Sequence, residues 1–355
     1  MPTSAPTQPL PALDLPQKLV PLLLRWYGEN ARDLPWRQNR DPYRVWVSEI
    51  MLQQTQVQTV VPYFLRFTSA APTVFALAQL PDAGLLKLWE GLGYYSRARN
   101  LKKAAAVIVS KHGGVFPSRY DDILALPGVG RYTAGAIASI CFDLPTPAVD
   151  GNVLRLVSRL TACYDDVALP ATKRRVEEAL RAVYPKTHSG AFTQALMELG
   201  ATVCLPNTVP DCPRCPVRSL CQAYKDGCAS GLPVRQKRAE RQIEDRTVWI
   251  LSCGDQVAVC RREDAGLLAG LWQLPNSLGS LSGAEAARQA EDWDVHPLQL
   301  TKSLHRSHIF THIRWDMTCY YLTCAVQSGR FVWIDPAGSP THPLPSAFKK
   351  LLERD

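Results

Sequence analysis

Apolar residues recur at helical spacing over the first two-thirds of the chain, and at alternating positions beyond about residue 247. The helical pattern predicts helices over 19–27, 42–53, 57–67, 82–88, 97–112, 131–142 and 191–203. A shorter one is predicted over 118–125, and a new helix is expected to start near Asp150. Asp41-Pro42 opens its helix well, because Asp caps exposed amides and Pro fits the first turn. The helix that follows is apolar nearly all round, so it is expected to be buried. The later runs 247–253, 256–261, 317–324 and 330–334 read as strands, with one helix over 284–293. The pattern therefore predicts a mainly α domain followed by an α+β domain, with no internal repeat.

The chain has 355 residues, enough for two domains with real cores. Residues 1–16 hold five prolines and little charge and read as a disordered arm. The helical domain is expected over 17–231, a polar linker carrying Arg235, Lys237, Arg238, Arg241 and Arg246 over 232–246, and the second domain over 247–355. No apolar run reaches the length of a membrane span, and the start lacks the pattern of a signal peptide. A soluble intracellular protein, in the cytoplasm of a prokaryote, is the expectation. The net charge of +8 is uneven: residues 1–230 hold 25 Lys and Arg against 18 Asp and Glu, whereas 231–355 hold 15 against 14. A basic first domain suits a polyanion, or is a solvated surface.

Three features carry chemistry. Glu49 is a lone acid in the middle of the apolar helix. It is either ion-paired with a neighbour such as Arg44 or a carboxylic acid held protonated near neutral pH. Asp150 follows Pro145-Thr146-Pro147 and is either a helix cap or the second of two working carboxyls. Cleaving an N-glycosidic bond needs one acid to protonate the leaving base and one carboxylate to stabilise the sugar cation. Between them, Gly128-Val129-Gly130 joins two helices as a glycine turn that lets a phosphate approach, or as a plain corner. The sequence Trp36-Arg37 places an aromatic beside a basic residue, for stacking on a nucleobase or equally as a core plug, Gln53-Gln54-Thr55 offers uncharged groups for base edges, and Gly91 to Arg97 presents Leu92, Tyr94 and Tyr95 either as a wedge or as core. Cys204, Cys212, Cys215 and Cys221, spaced Cys-x7-Cys-x2-Cys-x5-Cys with no nearby His, suit an iron–sulfur cluster or a four-Cys zinc site. The seven other cysteines read as buried thiols.

Together these motifs, with Leu34 to Arg37, Ser48 to Thr55, Val149 to Asn152 and Gly266 to Trp272, resemble the MutY-type adenine DNA glycosylases of the endonuclease III, helix–hairpin–helix superfamily. The resemblance covers nearly the whole chain after the proline-rich arm. It implies a helical glycosylase domain with a [4Fe–4S] loop at 204–221 and a Nudix-like lesion-recognition domain. It makes Glu49 the acid that protonates adenine and Asp150 the stabiliser of the sugar cation, assisted by Tyr132 and Asn152. It assigns Trp36, Arg37, Leu52 and Gln194 to an adenine pocket. Gln54, Thr55, Leu92, Tyr94 and the triplet Phe310-Thr311-His312 are assigned to the lesion side. The partner implied is duplex DNA with adenine opposite 8-oxoguanine or guanine, bound by a monomer. Bifunctional relatives carry a Lys where Tyr132 stands, so a monofunctional enzyme that leaves an abasic site is expected, as against a lyase or a non-catalytic mispair sensor. The family's first cysteine gap is six residues; here it is seven, an extra residue the loop is expected to absorb. The hydrolase signature of true Nudix enzymes is missing around Glu285 and Glu291.

Overall fold

The computed structural model describes residues 13–236, 240–264, 266–337 and 341–353, and the chain divides into two compact units. Residues 1–12 of the expected arm, and Lys237 and Arg238 of the expected linker, lie outside the described residues. The first unit comprises the chain up to Ala78 together with Asn100–Lys237; the second comprises Gln79–Arg99 with Arg238–Asp355.

The helices in chain order are α1 (Leu19–Asn30), α2 (Pro42–Leu52), α3 (Val57–Ala70), α4 (Val74–Gln79), α5 (Asp82–Leu88), α6 (Ser96–His112), α7 (Tyr120–Leu124), α8 (Arg131–Phe142), α9 (Gly151–Leu160), α10 (Pro170–Val183), α11 (Ser189–Thr202) and α12 (Gln222–Lys225). In the first unit, α1, α9, α10 and α11 share one core through Leu19, Leu23, Val157, Leu180 and Phe192. A smaller core joins α2 and α8 through Val45, Ala136 and Ile140. The caps expected for α2 and α9 are present: Asp41 accepts from the Tyr43 amide at 2.9 Å and Asp150 from the Val153 amide at 2.7 Å.

Two expected boundaries move. Residues 13–16, read as the end of the arm, are built into the fold: Leu15 is buried in the core of α1. The stretch 232–246, read as a linker, is structured at both ends. Leu232 is buried, the Val234 carbonyl accepts from the Val167 amide at 3.1 Å, and Gln242 already begins a strand. Charge along a stretch marks solvent on one side only; here the other side packs.

The second unit is a mixed sheet of β1 (Gln242–Cys253), β2 (Gln256–Arg261), β3 (Trp272–Gln273), β4 (Asn276–Leu278), β5 (Pro297–Ile309), β6 (Ile313–Cys324) and β7 (Val332–Ile334), with α13 (Gly283–Glu291) and α14 (Ser346–Leu352). The strand order is β3-β2-β1-β6-β5, with β4 also on β1 and β7 on β2. β1 and β6 run parallel, Val248 opposite Cys319, and the other pairs are antiparallel. Strand alternation divides the core: Val248, Ile250, Trp315 and Met317 meet α14, whereas Trp249, Leu251, Tyr320 and Leu322 meet α13. β1 is covered on both faces, which explains its unbroken apolar run. Segment 79–99 is tied into this unit by Lys349 of α14, which pairs with Glu90 at 2.9 Å, and by a hydrogen bond from Arg99 to the Ala269 carbonyl.

Candidate active site

Glu49 is buried in the middle of α2, as its neighbours require. It does not pair with Arg44, which donates to the Pro35 carbonyl at 3.2 Å and lies over the Phe64 ring. Instead the Tyr132 hydroxyl, from the first turn of α8, donates to Glu49 Oε2 at 2.5 Å. Burial pushes the Glu49 carboxyl up to about 7; the charge of Asp150 adds to the rise, while the Tyr132 hydrogen bond and Arg37 oppose it. Near neutral pH this group therefore holds a proton a fair part of the time.

Asp150 caps α9 and is also raised by burial, against the pull of its donors. Those donors are the Val153 amide and the Asn152 side chain, whose Nδ2 lies 2.8 Å from Oδ2. Asn152 is itself held, because Arg155 donates to its Oδ1 at 2.9 Å and to the carbonyls of Gly200 and Cys204 at 2.7 Å each. A Cβ on Gly200 would come 2.6 Å from Asn152 Cβ, so α11 can approach the Asn only where it has no side chain. Gly200 carries no local signal of this role, and of the partners of Arg155 only Asn152 is near in sequence, the Gly200 and Cys204 carbonyls being distant.

Glu49 and Asp150 line one cleft of about 840 Å³, together with Tyr132 and Asn152. Trp36, Arg37, Leu52, Gln194, Gln54 and Thr55 line it too. Trp36 is buried with its ring edge-on to Phe64, centroids 5.4 Å apart, so it serves the core as well as the cleft wall. Glu198 is a wall residue the sequence did not single out. Its buried carboxylate takes Arg32 Nε at 2.6 Å and Arg37 Nη2 at 2.8 Å. Burial alone would raise Glu198, but these two guanidinium groups hold it down to about 2. The pair stabilises the fold above pH 4.5, the ordinary Glu value, and that contribution is lost as pH falls toward 2. Glu198→Gln strands two cations at the cleft wall and is expected to lower unfolding free energy by about 3 kcal/mol at pH 7, the usual cost of breaking a buried pair. Urea melts at pH 7 and pH 3 check this: the loss should shrink at the lower pH.

The residues expected on the lesion side divide between the units. Gln54, at φ +61°, and Thr55 belong to the first unit. In the second, the Tyr94 hydroxyl hydrogen-bonds the Thr311 hydroxyl at 2.7 Å. Phe310-Thr311-His312 forms the tip of the β5–β6 hairpin, with Phe310 packed on Trp315 at 4.8 Å between centroids. The loop carrying Tyr94 is pinned from within: Arg97 donates to the Leu92 and Gly93 carbonyls at 3.0 and 3.2 Å. Leu92 differs from expectation. It is 6% exposed and Tyr95 likewise, whereas Tyr94 is 45% exposed, so the loop presents one aromatic and keeps two residues as core.

The glycine turn is also only half as expected. Gly128 sits at φ +75°, where a Cβ would strike Asn100, but Gly130 is an extended residue at φ −96° that any side chain could adopt. Gly130 instead starts α8 without a capping side chain, and Val129 is buried between the two.

Cys204, Cys212, Cys215 and Cys221 line one small apolar void, with Arg159 Nη1 3.2 Å from Cys204 Sγ. Among the described residues no group of three or more His, Cys, Asp or Glu is placed to hold a metal ion. In the gap between the first two cysteines Asn207 is left-handed at φ +55°, Val209 is 82% exposed, and the Asp211 amide returns to the Val203 carbonyl at 3.0 Å.

Comparison with known proteins matches residues 47–186 to the HhH-GPD superfamily of base excision DNA repair proteins and 246–354 to the NUDIX domain. The chain is 36% identical to an adenine DNA glycosylase of Rattus norvegicus, over 86% of this chain and 70% of that protein. It is 31% identical to an adenine DNA glycosylase of Buchnera aphidicola subsp. Schizaphis graminum, over 94% and 97%. A structure of a trapped endonuclease III–DNA covalent intermediate superimposes with a TM-score of 0.51 at 26% identity, over 60% of this chain and 99% of that one. No helix among the described residues is long and apolar enough to cross a membrane. The chain thus belongs to the adenine DNA glycosylase family, base excision repair glycosylases that join an endonuclease III-like helix–hairpin–helix domain to a C-terminal Nudix-like domain.

Proposed function

We propose that this glycosylase acts on duplex DNA carrying adenine opposite 8-oxoguanine or guanine, and that it is monofunctional, working as a monomer. The observation that supports this most is the placement of Glu49 and Asp150 on one cleft, the first pushed up to about 7. Adenine rotated from the stack would enter between Trp36, Arg37, Leu52 and Gln194, at a flipping cost of a few kcal/mol offset by contacts elsewhere on the duplex. Glu49 gives its proton to N7, so the base leaves neutral. Asp150, held by Asn152 and the Val153 amide, stabilises the sugar cation until water adds to it. Tyr132 orients Glu49 and offers no amine, so the sugar carbon forms no imine with the chain at that position. Tyr94 and Thr311 in the second unit read the lesion.

The four cysteines are the ligands we assign to a [4Fe–4S] cluster. Their shared void and the Arg159 guanidinium beside Cys204 fit a bound anionic group. When bound, the cluster would tie together the two ends of the loop 204–221, from Cys204 just after α11 to Cys221 just before α12. The purified protein should then be brown, with broad visible absorbance that is lost on Cys215→Ser; a colourless protein containing zinc would contradict the assignment.

Incubation with a labelled duplex containing adenine opposite 8-oxoguanine, with and without hot alkali, tests the function. Breaks only after alkali are expected. Breaks without alkali would mean a lyase, and no product a mispair sensor.

A further inference from the structure

We infer that Gly135, in the middle of α8, is a positioning residue for the reaction, an inference that rests on the function proposed above. Having no side chain, it lets the segment 144–149 lie directly on α8, and so sets how far Asp150 stands from Tyr132 and Glu49. The chain doubles back where α8 ends. Asp143 is left-handed at φ +55°, and the Leu144 amide returns to the Ala138 carbonyl at 3.1 Å. From there the segment runs along α8 toward its start. The Thr146 hydroxyl reaches the Gly135 carbonyl at 3.4 Å, and Asp150 arrives close enough for its charge to act on both Tyr132 and Glu49.

The tightest point of this return is Gly135. A Cβ there would lie 2.2 Å from the Pro147 carbonyl oxygen and 3.0 Å from the Pro147 carbonyl carbon. Both are backbone atoms, which cannot swing aside as the end of a side chain can. Backbone angles do not call for a glycine here, because Gly135 lies inside α8, where glycine is less stable than alanine. Ala134, Ala136 and Ala138 occupy neighbouring positions of the same helix. What the glycine supplies is the close approach. The next residue of the segment, Ala148, is buried against Val45, Ala136 and Ile140, so the segment is seated on α2 as well as α8, one helical turn before Glu49. Pro145 and Pro147 stiffen it, so a displacement at Pro147 passes on to Asp150 rather than being absorbed. Tyr132 projects from α8 three residues before Gly135, on the same side of the helix. A methyl group at 135 would drive the Pro147 carbonyl back by about 1 Å to reach an ordinary contact distance, and would carry the carboxylate away from the acid pair.

The test is a double-mutant cycle on the full-length protein, read by single-turnover release of adenine opposite 8-oxoguanine. Gly135→Ala should slow release roughly a hundredfold, the effect of a misplacement of about 1 Å at a working group. It should still bind about as tightly as the parent to a duplex carrying 2′-fluoro-2′-deoxyadenosine, whose glycosidic bond resists cleavage. In an Asp150→Asn background, where the charge is already gone, the same substitution should slow release by less than about threefold, because it acts only through that charge. Ala148→Val, which overpacks the same segment more gently, should slow release about tenfold and show the same loss of effect beside Asp150→Asn. It decides the question if urea melts find Gly135→Ala unfolded. An equal slowing in both backgrounds would mean a general disturbance of the fold, and a parent-like rate for the folded Gly135→Ala would mean no role; either overturns the inference. A parent that releases no adenine, or an Asp150→Asn variant as fast as the parent, would instead strike the functional reading beneath it.

Discussion

Glu49→Gln should bind mispaired duplex about as well as the parent and release adenine at least about a thousandfold more slowly. The substitution keeps shape and keeps an oxygen for the Tyr132 hydroxyl, which donates to Glu49 Oε2 at 2.5 Å, so the geometry of α2 and α8 should survive. What it removes is a transferable proton. A second consequence follows from the same burial. Because the folded-state carboxyl is raised from 4.5 to about 7, folding is favoured fully below pH 4.5 and loses that contribution as pH rises through 7. Ionised Glu49 costs the parent about 3 kcal/mol above neutrality, by the conversion of a pKa difference into free energy. The inactive variant should therefore be the more stable protein at pH 8, with the difference vanishing near pH 4. Thermal melts across that range check it; a variant that is less stable at every pH would sink the account of Glu49 as a desolvated acid.

Asp150→Asn should be nearly as damaging, slowing release about a hundredfold to a thousandfold by removing a preorganised charge at the sugar. The helix cap survives, since Asn is as good a cap as Asp and can still accept from the Val153 amide, but its NH2 group cannot accept from Asn152 Nδ2, so that one hydrogen bond is lost. Single-turnover rates with excess enzyme, beside a binding curve, separate the two effects. Lost rate with retained affinity is the expected split. A variant that binds poorly but cuts at the parent rate once saturated would place Asp150 in the scaffold rather than the chemistry.

Some of this was legible in the chain. Glu49 stood out because a carboxyl on a helix apolar all round must be partnered or protonated, and local pattern alone identifies the helix. Asp41-Pro42 and Asp150 could be placed because capping is decided within three residues. Strands β1 and β2 declared themselves by apolar runs, whereas β5, exposed along nearly its whole length at the sheet edge, has no buried face to impose alternation. Glu198 was out of reach for a different reason. Its partners Arg32 and Arg37 lie more than 160 positions away, and nothing in the helix around it reports them. Arg155 is similar: its bond to Asn152 lies within α9, but those to the Gly200 and Cys204 carbonyls are made only by packing α9 against the end of α11. Leu92 and Tyr94 share one loop with opposite fates, because Arg97 pins the carbonyls beneath and turns only Tyr94 outward.

The pH dependence of single-turnover adenine release tests the central claim most directly. With Glu49 as the acid, the rate should hold steady up to about pH 7 and then fall, approaching tenfold per unit, as that carboxyl ionises. A rate that stays level or climbs between pH 7 and 9 would mean that the departing base takes its proton from elsewhere.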